Sequence, residues 1–214
     1  MARRKSGQPV NGWLAIDKPL GLTSTQVVGR VRRLFDAQKV GHGGTLDPLA
    51  SGVLPVALGE ATKTVAYAMD GAKRYRFTLR WGQATSTDDA EGPVVAESPV
   101  RPSREQILAV IPRFLGEISQ VPPIFSAVKG DGQRSYDLAR ADEAVELTSR
   151  IVRIDLLELL EQPDADHAVF AVGCGEGAYM RALARDLGEA LGTKAHVRAL
   201  RRTAVGPFLE ADAI

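Results

Sequence analysis

Residues 73–81, KRYRFTLRW, alternate strictly between two kinds of side chain. Tyr75, Phe77, Leu79 and Trp81 point one way and Arg74, Arg76, Thr78 and Arg80 the other, because successive side chains of an extended strand project to opposite faces. This stretch can only sit as a half-buried strand with an arginine-rich outer face. Further strands are read at NGWLAIDKP, halted by Pro19, at RIVRIDLLELL and at HAVFAVGC. Helices are read at TSTQVVGRVRRLFDA, where Val27, Val28, Val31, Leu34 and Phe35 share a face and Thr23 with Gln26 makes a capping-box pattern. Another is SREQILAVIPRFLG, which Pro112 kinks or divides. A third is AYMRALARDLGEALG, with Met180, Leu183, Leu187 and Leu191 inward and Gly192 as its stop. TSTDDAEGP reads as an acidic turn, and residues 119–149 as an excursion punctuated by proline and glycine that could serve as a flap. Strands and helices in irregular order, without regular βαβ alternation, indicate an α+β fold.

At 214 residues, 44% hydrophobic and 25% charged, the chain has the length and composition of one large soluble domain with a real core. Cys174 is the single cysteine, so no intrachain disulfide forms, and it reads as a small core residue in a protein of the reducing cytoplasm. His42, His167 and His196 are scattered, and none stands at a metal-ligand spacing with Cys174, so no metal is expected. No apolar run reaches the roughly 18 residues of a membrane span. Charge is polarised: residues 1–40 hold eight Lys and Arg against two acids, a net of +6, while residues 141–166 hold eight acids against Arg150 and Arg153, a net of −6. The basic segment, with Lys194, Arg198, Arg201 and Arg202 on a late strand surface, suits a polyanion; two ordinary solvated faces account for the charge as well.

Chemistry concentrates in GHGGTLDPLASGVLPVALGEATK, residues 41–63. GHGGT lacks the G-x-G-x-x-G spacing, and Lys63 has no glycine directly before it, so neither nucleotide loop is present. A carboxylate on a glycine- and proline-shaped loop is a reasonable nucleophile or base, which makes Asp47 a candidate. Asp-Pro also starts turns, and by spacing alone that turn-capping role is the one favoured for it. Tyr75 is either a core tyrosine or a pocket residue, and Arg181 either a surface charge or a functional one. No Ser-His-Asp constellation occurs in a G-x-S-x-G setting, leaving single-carboxylate chemistry without a cofactor as the enzymatic option.

The stretch from Gly41 to Lys63 resembles the signature of the TruB family of pseudouridine synthases, G-H-x-G-T-L-D-P-x-A-x-G-x-L followed by G-x-A-T-K, at every position. LAIDKPLGLTS, KRYRFTLRWGQATSTDDAEG, VPPIFSAVKGDGQRSYDLAR, CGEGAYMRALARDLGEALG and AHVRALRRTAVGPF match in the family's order, so the resemblance covers nearly the whole chain. It implies a pseudouridine synthase catalytic fold, a mixed and largely antiparallel sheet flanked by helices and loops, over residues 1–214, with an RNA-clamping insertion at about 119–149. The C-terminal PUA-type domain usual in bacterial members is expected to be absent. The implied activity is isomerisation of uridine 55 in the tRNA T loop to pseudouridine, by a monomer, with no cofactor, metal or membrane. Asp47 matches the catalytic aspartate, Arg181 the arginine paired with it, and Tyr75 the tyrosine that stacks on the base and assists proton transfer. Tyr179 and Leu200 match positions lining the uracil pocket, and His42 the histidine that holds the flipped loop. Lys18, Lys63, Lys129 and Arg134 are candidate RNA contacts. A tRNA-folding chaperone or RNA-binding module using the same surface is the alternative.

Overall fold

Strand β1 (Gly12–Lys18) ends where Pro19 brings no N–H to a ladder. Helix α1 (Ser24–Leu34) opens with the capping box read from its sequence: the Thr23 hydroxyl accepts from the Gln26 amide at 3.1 Å, and the Gln26 side chain accepts from the Thr23 amide at 2.8 Å. Then come β2 (Val40–His42), β3 (Ala50–Leu58), a 3₁₀ turn, α2 (Val65–Asp70) and β4 (Lys73–Trp81). The chain continues through β5 (Gln83–Thr85), β6 (Val94–Glu97), α3 (Arg104–Val110) and β7 (Gly116–Gln120). Pro112 does divide the predicted helix: α3 stops at Val110 and a 3₁₀ turn, Ile111–Phe114, takes over. After β8 (Lys129–Gly130) and β9 (Gln133–Arg134) follow β10 (Arg150–Glu161), β11 (His167–Cys174), α4 (Met180–Ala190), β12 (Ala195–Val205) and β13 (Phe208–Leu209). The computed structural model describes residues 7–124, 129–130, 133–134 and 148–214. Its architecture is α+β, with a mixed, mostly antiparallel sheet, as expected from the element order.

Two compact units are present, one comprising the chain up to Tyr75 together with Leu200–Ile214, the other Arg76–Ala199. In the first, β1 pairs antiparallel with β3 from Gly12 opposite Leu58 to Lys18 opposite Gly52. β2 pairs antiparallel with the far half of β3, and the end of β12 pairs parallel with its start, Leu200 opposite Ala50 and Arg202 opposite Gly52. Flanked on both edges, β3 is buried almost throughout, which explains the near-continuous apolar run ASGVLPVAL. α1 lays Val27 and Val31 onto Leu54, Val56 and Leu58, with Ala37 completing the cluster. Leu34 and Phe35 were expected inward, yet Leu34 is 81% exposed and Phe35 38%. Asp36 then takes a left-handed conformation, φ 44°, which reverses the chain, and Ala37 is the next residue to join the core.

In the second unit β10 pairs antiparallel with β11 and with β7. Phe77, Leu79 and Trp81 are fully buried as the two-residue period requires, and Phe77 stacks on Phe170 of β11 with ring centroids 5.3 Å apart. β10 buries Val152 and Ile154, then Leu157 and Leu159. The change from even to odd positions follows from a register shift between Ile154 and Leu156, since one extra residue moves every later side chain to the opposite face. α4 buries Met180, Leu183 and Leu187, and Gly192 ends it at φ 69°. Cys174 is buried. Among the described residues no helix is long and apolar enough to cross a membrane.

The parallel contact of β3 with β12 depends on Gly52. Its φ is 100°, and a Cβ there would lie 2.2 Å from the Arg202 carbonyl oxygen. Gly52→Ala is expected to cost about 3 kcal/mol or more through strain and forced separation of the strands. Chemical denaturation measures it; a loss below about 1 kcal/mol would show that the pairing adapts.

Candidate active site

Asp47 sits on the turn between β2 and β3, half-buried. Its backbone carbonyl accepts from the Ala50 amide at 3.0 Å, which makes the turn. The residues on either side are anchored to the approach of α1. Ser24, the first residue of that helix and 2% exposed, receives the Leu46 amide on its Oγ at 2.9 Å and donates to the Leu46 carbonyl at 3.2 Å. Beyond Asp47, the Pro48 carbonyl accepts from the Gly21 amide at 2.8 Å. Fixing both neighbours restricts where the carboxylate can point.

The residue that organises this corner was read from sequence as strand surface. Arg202 is 1% exposed. Its Nε donates to the Val53 carbonyl at 2.8 Å, Nη2 to Gly44 at 3.1 Å and Nη1 to Thr45 at 3.4 Å. It also hydrogen-bonds the Tyr75 side chain. Burial pushes its pKa below the ordinary arginine value, and the interaction with Tyr75 works against that shift. Gly44, at φ 107°, brings its backbone so close that a Cβ would meet Nη1 at 3.4 Å. The neighbouring Arg201 faces the other way, as strand alternation demands, with Nη2 2.8 Å from Asp17 Oδ2 and Nε on Glu210.

Lys18, a candidate RNA contact, is 0% exposed, and its Nζ donates to the carbonyls of Pro19 at 3.0 Å and Leu22 at 2.6 Å. Burial lowers its pKa, the Asp47 carboxylate opposes that, and the Arg202 cation reinforces it. His42 closes β2 beside the same group. Its pKa falls below the ordinary histidine value, first from burial and then from Arg202, against a backbone hydrogen bond to Gly44. The first unit thus brings Asp47, His42 and Tyr75 into one electrostatic neighbourhood through Lys18 and Arg202. Leu200, partly buried, is in register with Ala50, three positions beyond Asp47. Lys63 is exposed on the 3₁₀ turn Gly59–Thr64 and paired with Glu60.

In the second unit Tyr179 and Arg181 stand at the head of α4. Gln120, 1% exposed, holds the Tyr179 backbone both ways, receiving its amide at 3.0 Å and donating to its carbonyl at 3.2 Å. Arg181 is buried rather than a surface charge; it donates to the Thr87 carbonyl at 3.2 Å and lies 3.6 Å from Asp89. The acidic turn spends its charges inward, since Asp88 meets Arg185 at 3.1 Å. Burial raises the Asp88 pKa, opposed by Arg185 and Arg181. Lys129 and Arg134 are register partners of the β8–β9 ladder, and their side chains, like residues 125–128, 131–132 and 135–147 of the excursion, lie outside the described residues. Among the described residues no group of three histidine, cysteine or carboxylate side chains could hold a metal ion.

Solved structures share this fold. A chain of a Cbf5-Nop10-Gar1 complex superposes with a TM-score of 0.72 at 34% identity, covering 93% of this chain and 50% of that one. A chain of an H/ACA RNP bound to a substrate RNA containing 2'-deoxyuridine gives 0.70 at 29% identity, covering 98% and 55%. Residues 32–180 match the model of the TruB family pseudouridylate synthase N terminal domain, and residues 181–214 that of the tRNA pseudouridylate synthase B C-terminal domain. The chain belongs to the TruB family of pseudouridylate synthases. It is 63% identical to the tRNA pseudouridine synthase B of Rhodospirillum rubrum over 100% of its own length and 70% of that protein, and 61% identical to that of Gluconacetobacter diazotrophicus over 99% and 69%.

Two measurements probe this geometry. Ser24→Ala strands the buried Leu46 amide and is expected to cost about 1–3 kcal/mol, read by denaturant unfolding. For His42, a folded pKa below the unfolded value means that the unfolded chain binds the proton first. The stability of its neutral form is present above about pH 6.5 and is lost as pH falls toward the folded pKa. The melting temperature of the parent relative to His42→Gln should therefore drop between about pH 7.5 and about pH 5.5. A constant difference would mean that His42 does not titrate differently on folding.

Proposed function

We propose that the chain converts uridine to pseudouridine in tRNA, at position 55 of the T loop, acting as a monomer in the cytoplasm. The observation that carries the reading is Asp47 on a turn fixed at Leu46 and Pro48, electrostatically coupled to buried Lys18. That the relatives are named synthases favours the enzyme over a folding chaperone.

Asp47 either attacks the ribose C1′ and is released again when uracil C5 bonds there, or removes a ribose proton and later returns it; on either route the N-glycosidic bond breaks and the carboxylate is regenerated. The freed uracil turns and bonds to the sugar through C5. That carbon then carries both its original hydrogen and the new bond, so the hydrogen leaves as a proton and N1 gains one. Atoms and electrons balance within one nucleotide. By family resemblance Arg181 is the arginine that pairs with the catalytic aspartate. Tyr75 stacks on the base and assists proton transfer, Tyr179 and Leu200 line the uracil pocket, and His42 supports the flipped loop. Extracting the base from its stack costs a few kcal/mol, which aromatic and apolar contacts offset. Lys63, Lys129 and Arg134 remain the candidate RNA contacts, Lys129 and Arg134 within the clamping insertion.

Asp47→Asn keeps the size of the side chain and removes its charge. It is expected to lower pseudouridine formation on a T-arm stem-loop by about 10⁴-fold or more while binding of the stem-loop persists. Retained turnover in that variant would assign the chemistry to another group.

A further inference from the structure

We propose that Arg202 is a positioning residue for the isomerisation, fixing the orientation of the Tyr75 hydroxyl and the turn that presents Asp47; this rests on the synthase reading above. Its three nitrogens are committed to three carbonyls, of Val53, Gly44 and Thr45, and its side chain also meets Tyr75. A guanidinium has N–H donors and no acceptor, so in its bond to Tyr75 the phenolic oxygen must accept. The Tyr75 hydroxyl hydrogen is then directed away from Arg202. One planar cation thereby sets where a tyrosine proton points and where residues 44 and 45, just before Leu46 and Asp47, lie. Lysine cannot reproduce this fork, because its ammonium is a compact point charge on a flexible stem.

The adjacent Arg201 supplies an internal control. It carries the same charge on the same strand but is engaged with Asp17 and Glu210 on the other face.

The test compares Arg202→Met, Arg202→Lys and Arg201→Met with the parent, and repeats Arg202→Met in a Tyr75→Phe background. Turnover of a T-arm stem-loop is followed as kcat and KM, with single-turnover rates for the slow variants. Parent turnover comes first: its absence refutes the synthase reading itself, and its presence lets the variants decide the role of Arg202. Displacement of reacting groups on the ångström scale can cost about a hundredfold, so Arg202→Met should lower kcat by about that factor with KM within about threefold. Arg202→Lys should recover part of the loss, and Arg201→Met should leave kcat within about twofold. In the Tyr75→Phe background the Met substitution should cost less than about a third of its factor in the parent, because residues that act together are not additive. An equal factor in both backgrounds, or a kcat loss matched by Arg201→Met, overturns the proposal. If Arg202→Met does not fold, Arg202→Lys decides alone: a kcat reduced about tenfold or more at an unchanged melting temperature supports it, and a parental kcat overturns it.

Discussion

A buried guanidinium is the constraint around which the first unit is built. Leaving a buried donor unpaired costs about 1–3 kcal/mol, and more where the group is charged, so Arg202 can be interior only if acceptors converge on it. They come from the strand and turn of residues 44–53 and from Tyr75 at the start of β4. That convergence requires β12 to lie against β3 closely enough to exclude any Cβ at residue 52, and Gly44 to adopt a positive φ beside Nη1. The two glycines are thus consequences of the arginine's burial as much as of the turn's shape.

The same arrangement sets the electrostatics of the corner. Lys18 and His42 both have their charged forms disfavoured by burial and by Arg202. Asp47 is the carboxylate that counters this for Lys18. A carboxylate coupled to a buried lysine fits a reaction in which bonds are exchanged within one nucleotide, since such chemistry needs one well-placed group more than a relay.

Much of the fold was legible in the sequence because local rules dominate there. The period of two in KRYRFTLRW, the Thr23–Gln26 cap, the division at Pro112 and the stop at Gly192 each depend on residues only a few positions apart. What local rules could not reach was the fate of the charges. Arg202 read as strand surface and Arg181 as either a surface charge or a functional one, because isolated charged side chains are rarely buried; both are interior, as is Lys18. Their partners explain why: Arg202 meets Val53 across 149 positions and Arg181 meets Thr87 across 94, separations that no motif spacing encodes. Leu34 failed for a different reason: it is the last residue of its helix and lies beyond the part of the helix face that the core covers. The signal that could have singled out Arg202 was strand alternation, since Arg201 and Arg202 cannot face the same way.

The role proposed for Asp47 is to serve an exchange of bonds inside one nucleotide of tRNA. The most direct measurement uses tRNA carrying tritium at C5 of its uridines, incubated with the protein and followed for both released label and RNA mass. Isomerisation predicts that tritium from the uridine at position 55 passes to water while the base remains attached. Release of free uracil, leaving an abasic site, or no release at all, would contradict it.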